Sequence, residues 1–509
     1  MKRLHVWLVA AIAIVMAAVM TVAFVGCDSA GTPSGGNTGG SGGSGAPMTQ
    51  STGLAFEKIE DTETYAVVGL GSCRDSKVVV PATYKNKPVA AINATAFAEN
   101  CGGVTEIYVP DSVKTIKSGA FSGCTALKKL TIPVLSGKIG VYFGGANTSV
   151  PSTLKTVVLT TMTAVPEYAF ESCTSLEEVE FPQNATKIGW ACLKGCKNLK
   201  KLTTPLVGAT SVKTGKYTTT NFDFSVTSDW VSQENRSFTH LYTLWGVIVN
   251  TNGNGWKIED GEGGIKRVES SEELKECGLP EALTSLVVTS GYVSNYACAD
   301  VSTLVEVQVI GGPESAKTGI GASAFYRCNN LKTVSVSTGK FVGFSAFSGC
   351  SALENIDIPS SILKIGEYAF YNCDKLSYNI SGGIKYLGNK EDPYIAVIGV
   401  TNTSATTLNI SNTAIIIYGE AFYDCSKLSS IKIPASVQYI GEYAFSGCTS
   451  LEGIAFENGQ GWWYMYETNN AYEPPKEGSV SFSDAAEAAR FFKGSTTRKV
   501  LALYKNKGI

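Results

Sequence analysis

Ala120-Phe121-Ser122-Gly123-Cys124-Thr125-Ala126-Leu127-Lys128-Lys129-Leu130-Thr131-Ile132-Pro133 is the stretch on which the fold of this chain turns. Its second half alternates, placing Leu130 and Ile132 on one face and Lys129 and Thr131 on the other, then stops at proline; that is a half-buried strand. Its first half returns in frame as Ala169-Phe170…Cys173…Leu176, Ala324-Phe325…Cys328…Leu331, Ala346-Phe347…Cys350…Leu353 and Ala369-Phe370…Cys373…Leu376. Ala421-Phe422…Cys425…Leu428 and Ala444-Phe445…Cys448…Leu451 continue it. Two degenerate copies, Cys192-Leu193…Cys196…Leu199 and Ala297-Cys298…Val301…Leu304, keep the frame, and a first copy, Ala96-Phe97…Cys101, carries one extra residue. Cys101 to Cys124, Cys173 to Cys196, Cys350 to Cys373 and Cys425 to Cys448 are each 23 residues apart, and Cys328 to Cys350 is 22. A unit of that length cannot bury its apolar positions alone. Stacking on like neighbours does so, which predicts a solenoid.

The strand recurs with the frame, in Leu353-Glu354-Asn355-Ile356-Asp357-Ile358-Pro359 and in Leu428-Ser429-Ser430-Ile431-Lys432-Ile433-Pro434. Before each Ala-Phe pair runs a shorter extended piece ending in glycine, as in Val437-Gln438-Tyr439-Ile440-Gly441. The combined pattern, Leu-x-x-Ile-x-Ile-Pro…Val-x-x-Ile-Gly-x-x-Ala-Phe-x-x-Cys, resembles the BspA-like leucine-rich repeat family of bacterial and protist surface proteins, over residues 92 to 456. The expected fold is a mainly β repeat solenoid. It is a right-handed leucine-rich repeat superhelix with one parallel strand per unit, irregular β inserts and a small α+β C-terminal cap. What the resemblance implies about function is surface interaction: adhesion to host matrix, host cells or other microbes.

The N-terminus reads as an export signal. Lys2 and Arg3 precede an apolar run from Leu4 to Val25, and Phe24-Val25-Gly26-Cys27 resembles the bacterial lipoprotein signal, in which the cysteine is lipidated. The length of the run leaves an uncleaved spanning anchor as the rival reading. Glycine- and serine-rich sequence then continues to Gly53, a flexible tether. The expected organisation is 1–26 signal peptide, 27–53 tether, 54–91 N-terminal cap and 92–205 first repeat block. It continues with 206–282 irregular insertion with hairpins, 283–456 second repeat block and 457–509 C-terminal cap. Ser483 is the expected N-cap of a helix over 484–493.

Composition narrows the chemistry. With 42 Lys+Arg against 44 Asp+Glu the net charge is −2, so no global field draws nucleic acid. There are 2 histidines, His5 in the signal segment and His240, which makes histidine-based metal binding or catalysis improbable, and no cofactor or metal is expected. Ten of the 14 cysteines follow the repeat frame; stacked equivalents lie ~4.8 Å apart with parallel Cβ vectors, so they read as buried thiols, not bridges. Cys101 belongs to the same ladder, and the pairing of Cys73 and Cys277 stays open. Glu178 and Glu180 share one strand face and are the best lead for an enzyme acting on polysaccharide, against a plain solvated face. Trp462, Trp463, Tyr464 and Tyr466 offer either a glycan platform or packing within the cap.

The outward strand positions are mixed, small and polar, with neither a basic stripe nor aromatic platforms, which suits a wet protein–protein surface. The candidate ligand face is Thr333, Ser335, Asn355, Asp357, Thr407, Asn409, Ser430 and Lys432, bordered by the insert from Tyr386 to Tyr394. The expected protein is therefore non-catalytic, exported and lipid-anchored at the cell surface, binding extracellular proteins or glycoproteins; a structural surface scaffold is the alternative. Replacing Cys27 by alanine is expected to release the protein from membranes or stall its processing in a fractionation experiment. Full membrane retention with an intact N-terminus would replace lipidation by a spanning anchor.

Overall fold

The computed structural model describes residues 48–207, 279–311 and 318–466, and within 211–267 and 476–504 the strands and helices named below with the residues between Val480 and Ala485. Cys27, His240 and Cys277 lie outside the described residues. Each repeat contributes three sides. The alternating segment of each unit forms a strand that pairs in parallel with its equivalents. Ten such strands make one sheet, from Lys77–Val79 through Glu106–Tyr108, Lys129–Ile132, Thr156–Leu159 and Glu178–Glu180 to Lys201–Thr204, then Ser285–Val288, Glu306–Val309, Thr333–Val336 and Asn355–Asp357. Equivalent residues face one another across the ladder, Leu202 opposite Leu286 and Val307 opposite Val334, so the apolar column is continuous. The sheet begins one strand earlier than the repeat motif does, because Lys77–Val79, N-terminal to the first Ala-Phe pair, pairs with Glu106–Tyr108.

The second side is the short extended piece before each turn. Tyr292–Val293, Gly319–Ile320, Phe341–Val342 and Lys364–Ile365 form a parallel sheet of their own. The recurring Ile-Gly glycine that ends it sits against the preceding unit; a Cβ on Gly366 would lie 2.5 Å from the Phe344 amide nitrogen.

The Ala-Phe turn is the third side and the tightest. The Phe97 amide donates to the Ala120 carbonyl, Phe325 to Ala346, Phe347 to Ala369 and Phe422 to Ala444, each at 2.8 Å. The rings stack beneath this ladder: Phe325 on Phe347 at 5.4 Å, Phe347 on Phe370 at 5.9 Å, Phe422 on Phe445 at 5.0 Å, with interplanar angles of 3°, 4° and 8°. The repeat cysteine closes the turn. Its thiol donates to the carbonyl of the preceding unit's ladder residue, Cys196 to Phe170, Cys350 to Phe325, Cys373 to Phe347 and Cys448 to Phe422, each at 3.1 Å. Burial pushes the thiols up, Cys173 and Cys373 to about 12 and Cys196 and Cys328 well above their ordinary value.

The first pair departs from the expected ladder of free thiols: Cys101 and Cys124 form a disulfide, their Cα atoms 4.7 Å apart. Cys124 keeps its slot, with Sγ 3.6 Å from the Phe97 carbonyl oxygen. The extra residue in the first copy carries Cys101 past the equivalent slot and beside Cys124. It also brings the chain so close that a Cβ on Gly123 would lie against the Ala98 carbonyl oxygen. Cys73 is buried and unbridged.

Two of the insertions do not interrupt the turn ladder. Ile139–Phe143 and Leu241–Trp245 are 3₁₀ helices standing where a repeat turn would be. Phe121 donates to Tyr142 and Leu193 to Leu244, at 2.8 and 2.7 Å, while Ile139 and Leu241 donate onward to Ala169 and Ala297, at 2.9 and 2.7 Å. Leu241–Trp245 is thus a buried turn, not part of a hairpin. The hairpins of this region are Ser211–Thr214 with Tyr217–Thr220, and Val247–Val249 with Trp256–Glu259 and Ile265–Arg267.

The second block is split. After Asn355–Asp357, the antiparallel strands Asn379–Ser381, Ile384–Leu387 and Ala396–Val400 intervene, and Thr407–Asn409, Ser430–Ile433 and Gly453–Phe456 form a separate three-stranded sheet. The buried apolar side chains divide near the same place, one cluster running from Leu54 to Leu376 and beyond, the other from Ile384 to Leu503. At the C-terminal end, Val500–Tyr504 pairs antiparallel with Tyr439–Gly441, and the helix Ala485–Lys493 sets Phe492 5.2 Å from Phe445, closing the ring stack. The helix is capped by Asp484, not Ser483: the Asp484 carboxylate accepts from the Glu487 amide at 2.8 Å, three residues on.

Truncating Phe347 to alanine removes a ring stacked on both sides and is expected to cost ~3–5 kcal/mol, with loss of amide-exchange protection concentrated in neighbouring units. Because the nucleophile is the thiolate, Cys196, Cys328 and Cys350 are expected to resist alkylation at pH 8 in the native protein and to react fully in denaturant, read by peptide mass mapping.

Candidate interaction face

The open strand face is where the sequence places binding, and its two ends differ. In three of the earlier strands the second outward position is occluded, with Thr131, Thr203 and Val287 8%, 9% and 7% exposed, whereas Glu180 is exposed and Tyr108, Val158 and Gln308 are half-buried. Several of the charged side chains there are engaged with each other across strands. Lys77 pairs with Glu106 at 2.7 Å, Lys201 with Glu178 at 2.9 Å, and Glu177 sits between Lys155 and Lys200 at 3.2 and 2.6 Å. Hydrogen bonds from Lys200 and Lys155 hold the Glu177 carboxyl below its ordinary range. These exposed pairs align neighbouring units and add little stability. Glu178 is tied to Lys201, so the pair Glu178 and Glu180 offers an ion-paired and a solvated carboxylate on one edge of a flat sheet, with no cleft around them.

Toward the C-terminus the face opens. Of the eight candidate residues Thr333, Asn355, Asp357, Thr407, Asn409, Ser430 and Lys432 are exposed and Ser335 is half-buried. They do not form one column. Thr333 to Asp357 end the ten-stranded sheet, and Thr407 to Lys432 belong to the three-stranded one. The segment between fills the gap. Gly388 forms a parallel bridge with Asp357, Asn389 donates to the Ile358 carbonyl at 2.9 Å, and the Gly382-Gly383 turn lies against Leu408 and Asn409. Within it, the Asp392 carboxylate accepts from the Tyr394 amide at 3.0 Å and the Thr413 hydroxyl at 3.1 Å. The insert is therefore part of the face, not a border to it. Lys432 is held by Glu457 at 2.6 Å, leaving Asp357 as the acid of the set with no cross-strand lysine recorded against it.

The aromatic strand of the cap is packed inward at its first residue. Trp462 is buried, donates Nε1 to the Asn458 carbonyl at 3.1 Å and meets Phe456 edge to face at 5.4 Å, while Tyr464 packs on Phe491 at 5.6 Å. Trp463 and Tyr464 are half-buried, so Trp462, Trp463 and Tyr464 are cap packing rather than an open platform, and the Tyr466 side chain lies outside the described residues. Among the described residues no group of three or more His, Cys, Asp or Glu is placed to hold a metal ion, and no helix is long and apolar enough to cross a membrane.

With the three-sided unit and its Ala-Phe-x-x-Cys turn established, the class of protein is a leucine-rich repeat solenoid. The BspA type leucine-rich repeat model matches residues 90–214, 291–391 and 400–464, more than half of the chain, and the chain belongs to that family. No match to a curated protein is found. Among solved structures, it is similar to a leucine-rich repeat protein from Bacteroides ovatus at 21% identity, over 79% of this chain and 92% of that one, with a TM-score of 0.23. A leucine-rich cell surface protein from Faecalibacterium prausnitzii gives 18% identity over 82% and 97%, TM-score 0.22, and the leucine-rich repeat protein of T. pallidum 16% over 65% and 90%, TM-score 0.18.

Proposed function

We propose that this chain is an exported, lipid-anchored binding protein of the cell envelope, joined through Cys27 and the 27–53 tether, whose open strand face captures extracellular proteins or glycoproteins of host or neighbouring cells. The observation that carries the binding role is the contrast along the strand face. In the first block Thr131 and Thr203 are buried and Lys77, Lys155, Lys200 and Lys201 are ion-paired, with Lys129 and Glu180 exposed between them. Seven of the eight residues from Thr333 to Lys432 are exposed, with the 388–394 insert set among them, and Lys432 alone of these is ion-paired, to Glu457. Stable protein interfaces bury ~800 Å² per partner and are polar at the rim, which several adjacent units of such a face supply. Export and anchoring rest on Lys2, Arg3, the apolar run and Cys27 before a tether.

Charge reversal at both ends of the face, Asp357→Lys with Lys432→Glu, is expected to weaken capture of matrix proteins or whole cells by the purified protein, with the thermal unfolding transition kept, since both side chains are exposed. Undiminished capture, together with loss on deleting 206–282, would move the site to the insertion.

A further inference from the structure

The turn edge of the second block carries a notch that repeat stacking alone does not require. Tyr326, Ser348 and Tyr371 hold the same position, directly after Ala-Phe, in three consecutive units. Arg327, Gly349 and Asn372 follow them, and Asn329, Ser351 and Asp374 come after the cysteines. These three rows of three line one shallow groove. Each position of the middle unit is smaller than its counterparts in the neighbours, most of all at the first, so two tyrosines stand two units apart, about 10 Å, over a floor of serine and backbone. Ser122 and Ser446 head equivalent small turns elsewhere, but neither lies between two tyrosine-bearing units.

The two walls differ: Tyr326 is half-buried, whereas the Tyr371 side is unusual surface. Tyr371 is 58% exposed and Tyr368 50%, and with Phe344 they form an edge-to-face cluster, 6.0 Å from Tyr368 to Tyr371 and 5.7 Å from Phe344 to Tyr368. The residue before the repeat cysteine is left-handed in these units, a conformation suited to the glycine, asparagine, aspartate or serine that otherwise fills it. Arg327 is the exception, held at φ 57° with its Nε 3.3 Å from the Asp300 carboxylate of the preceding unit. Asn329, with its amide turned to satisfy both acceptors, donates to the Arg327 and Gly349 carbonyls at 3.3 and 2.8 Å, which fixes a planar amide at the groove.

We infer that this groove is a second binding site, on the turn edge and separate from the strand face, and that its ligand is a neutral oligosaccharide. Aromatic walls with planar amide, hydroxyl and carboxylate groups between them match a pyranose, whose C–H face packs on a ring while its hydroxyls both donate and accept. Charge argues for neutrality: the one guanidinium is already set against Asp300, and Asp374 repels an anionic sugar. A protein partner is disfavoured because the floor offers no apolar pocket for the aromatic or arginine anchor on which protein interfaces depend. The aromatic platforms missing from the strand face are thus found one side away.

The test is the purified full-length protein on an array of neutral, sialylated and sulfated oligosaccharides, followed by calorimetric titration with the neutral glycan retained most strongly. Tyr326→Ala and Tyr371→Ala are each expected to weaken binding by about tenfold or more, with Tyr371→Phe close to the parent. Tyr423→Ala, at the same frame position outside the groove, is expected to bind as the parent does. The strand-face double variant is also expected to keep glycan binding, which separates this site from the protein-capture surface. Unchanged circular dichroism melts confirm that each variant folds. Retention of no neutral glycan, retention of anionic glycans alone, or binding that survives Tyr326→Ala with Tyr371→Ala would overturn the proposal. Loss of a protein ligand in place of a glycan on Tyr371→Ala would reassign the groove to a protein partner.

Discussion

Everything in this molecule hangs on the way each unit's phenylalanine is tied to the next unit. Its amide donates to the following Ala carbonyl, its carbonyl accepts the following cysteine's thiol, and its ring stacks on the following ring. A buried peptide group has few ways to be satisfied, and here both polar atoms are satisfied by the same neighbour that covers the ring. Cysteine suits the donor position because it packs as a small apolar residue and still offers a weak S–H. Serine there would bring a stronger dipole and less apolar volume into the same slot. Burial disfavours ionisation of the thiols, which keeps them protonated and chemically quiet.

The same constraint explains how long insertions are tolerated. A loop that leaves the repeat path still has to return one acceptor for the preceding turn and one donor for the next. Ile139–Phe143 and Leu241–Trp245 meet this demand identically, through a carbonyl three residues after the donating amide. Beyond those two bonds the chain is free to form hairpins of its own. Where neither bond is rebuilt by backbone, between Phe370 and Phe422, the Tyr418 hydroxyl accepts from the Ala369 amide at 3.0 Å, and it is there that the sheet and the core divide.

Most of this architecture is legible in the sequence because one frame is repeated. Period-two strands, the Phe column and the polar outward positions follow from spacing alone. What escapes is whatever depends on the third dimension of one particular unit. The single added residue before Cys101 is visible, but only the close approach of Gly123 to Ala98 shows that it swings a sulfur onto Cys124. Ile-Gly-Val-Tyr-Phe and Leu-Tyr-Thr-Leu-Trp share no motif with Ala-Phe-x-x-Cys, and only their hydrogen bonds reveal the common role. The outward placement of the candidate residues follows from alternation, yet their division between two sheets does not, since alternation says nothing about which strand lies next to which. The tyrosine notch does not follow from strand alternation, because its signal lies in comparing one turn position between consecutive units.

The extra residue at the first turn also defines how such a chain can change length. Whole units can be gained or lost, because each presents the same donor and acceptor to its neighbours. Long excursions are tolerated too, provided they come back to a carbonyl and an amide in the right place. A one-residue change inside the Ala-Phe-x-x-Cys turn is different, since it shifts the sulfur out of its hydrogen-bonding slot while the ring stays put. At Cys101 that shift ends in a covalent bond to the adjacent turn, at the N-terminal end of the stack where one fewer neighbour supports it. Length in this solenoid is thus quantised by module and by loop, and the one small insertion in its turn stands where a second cysteine receives the first.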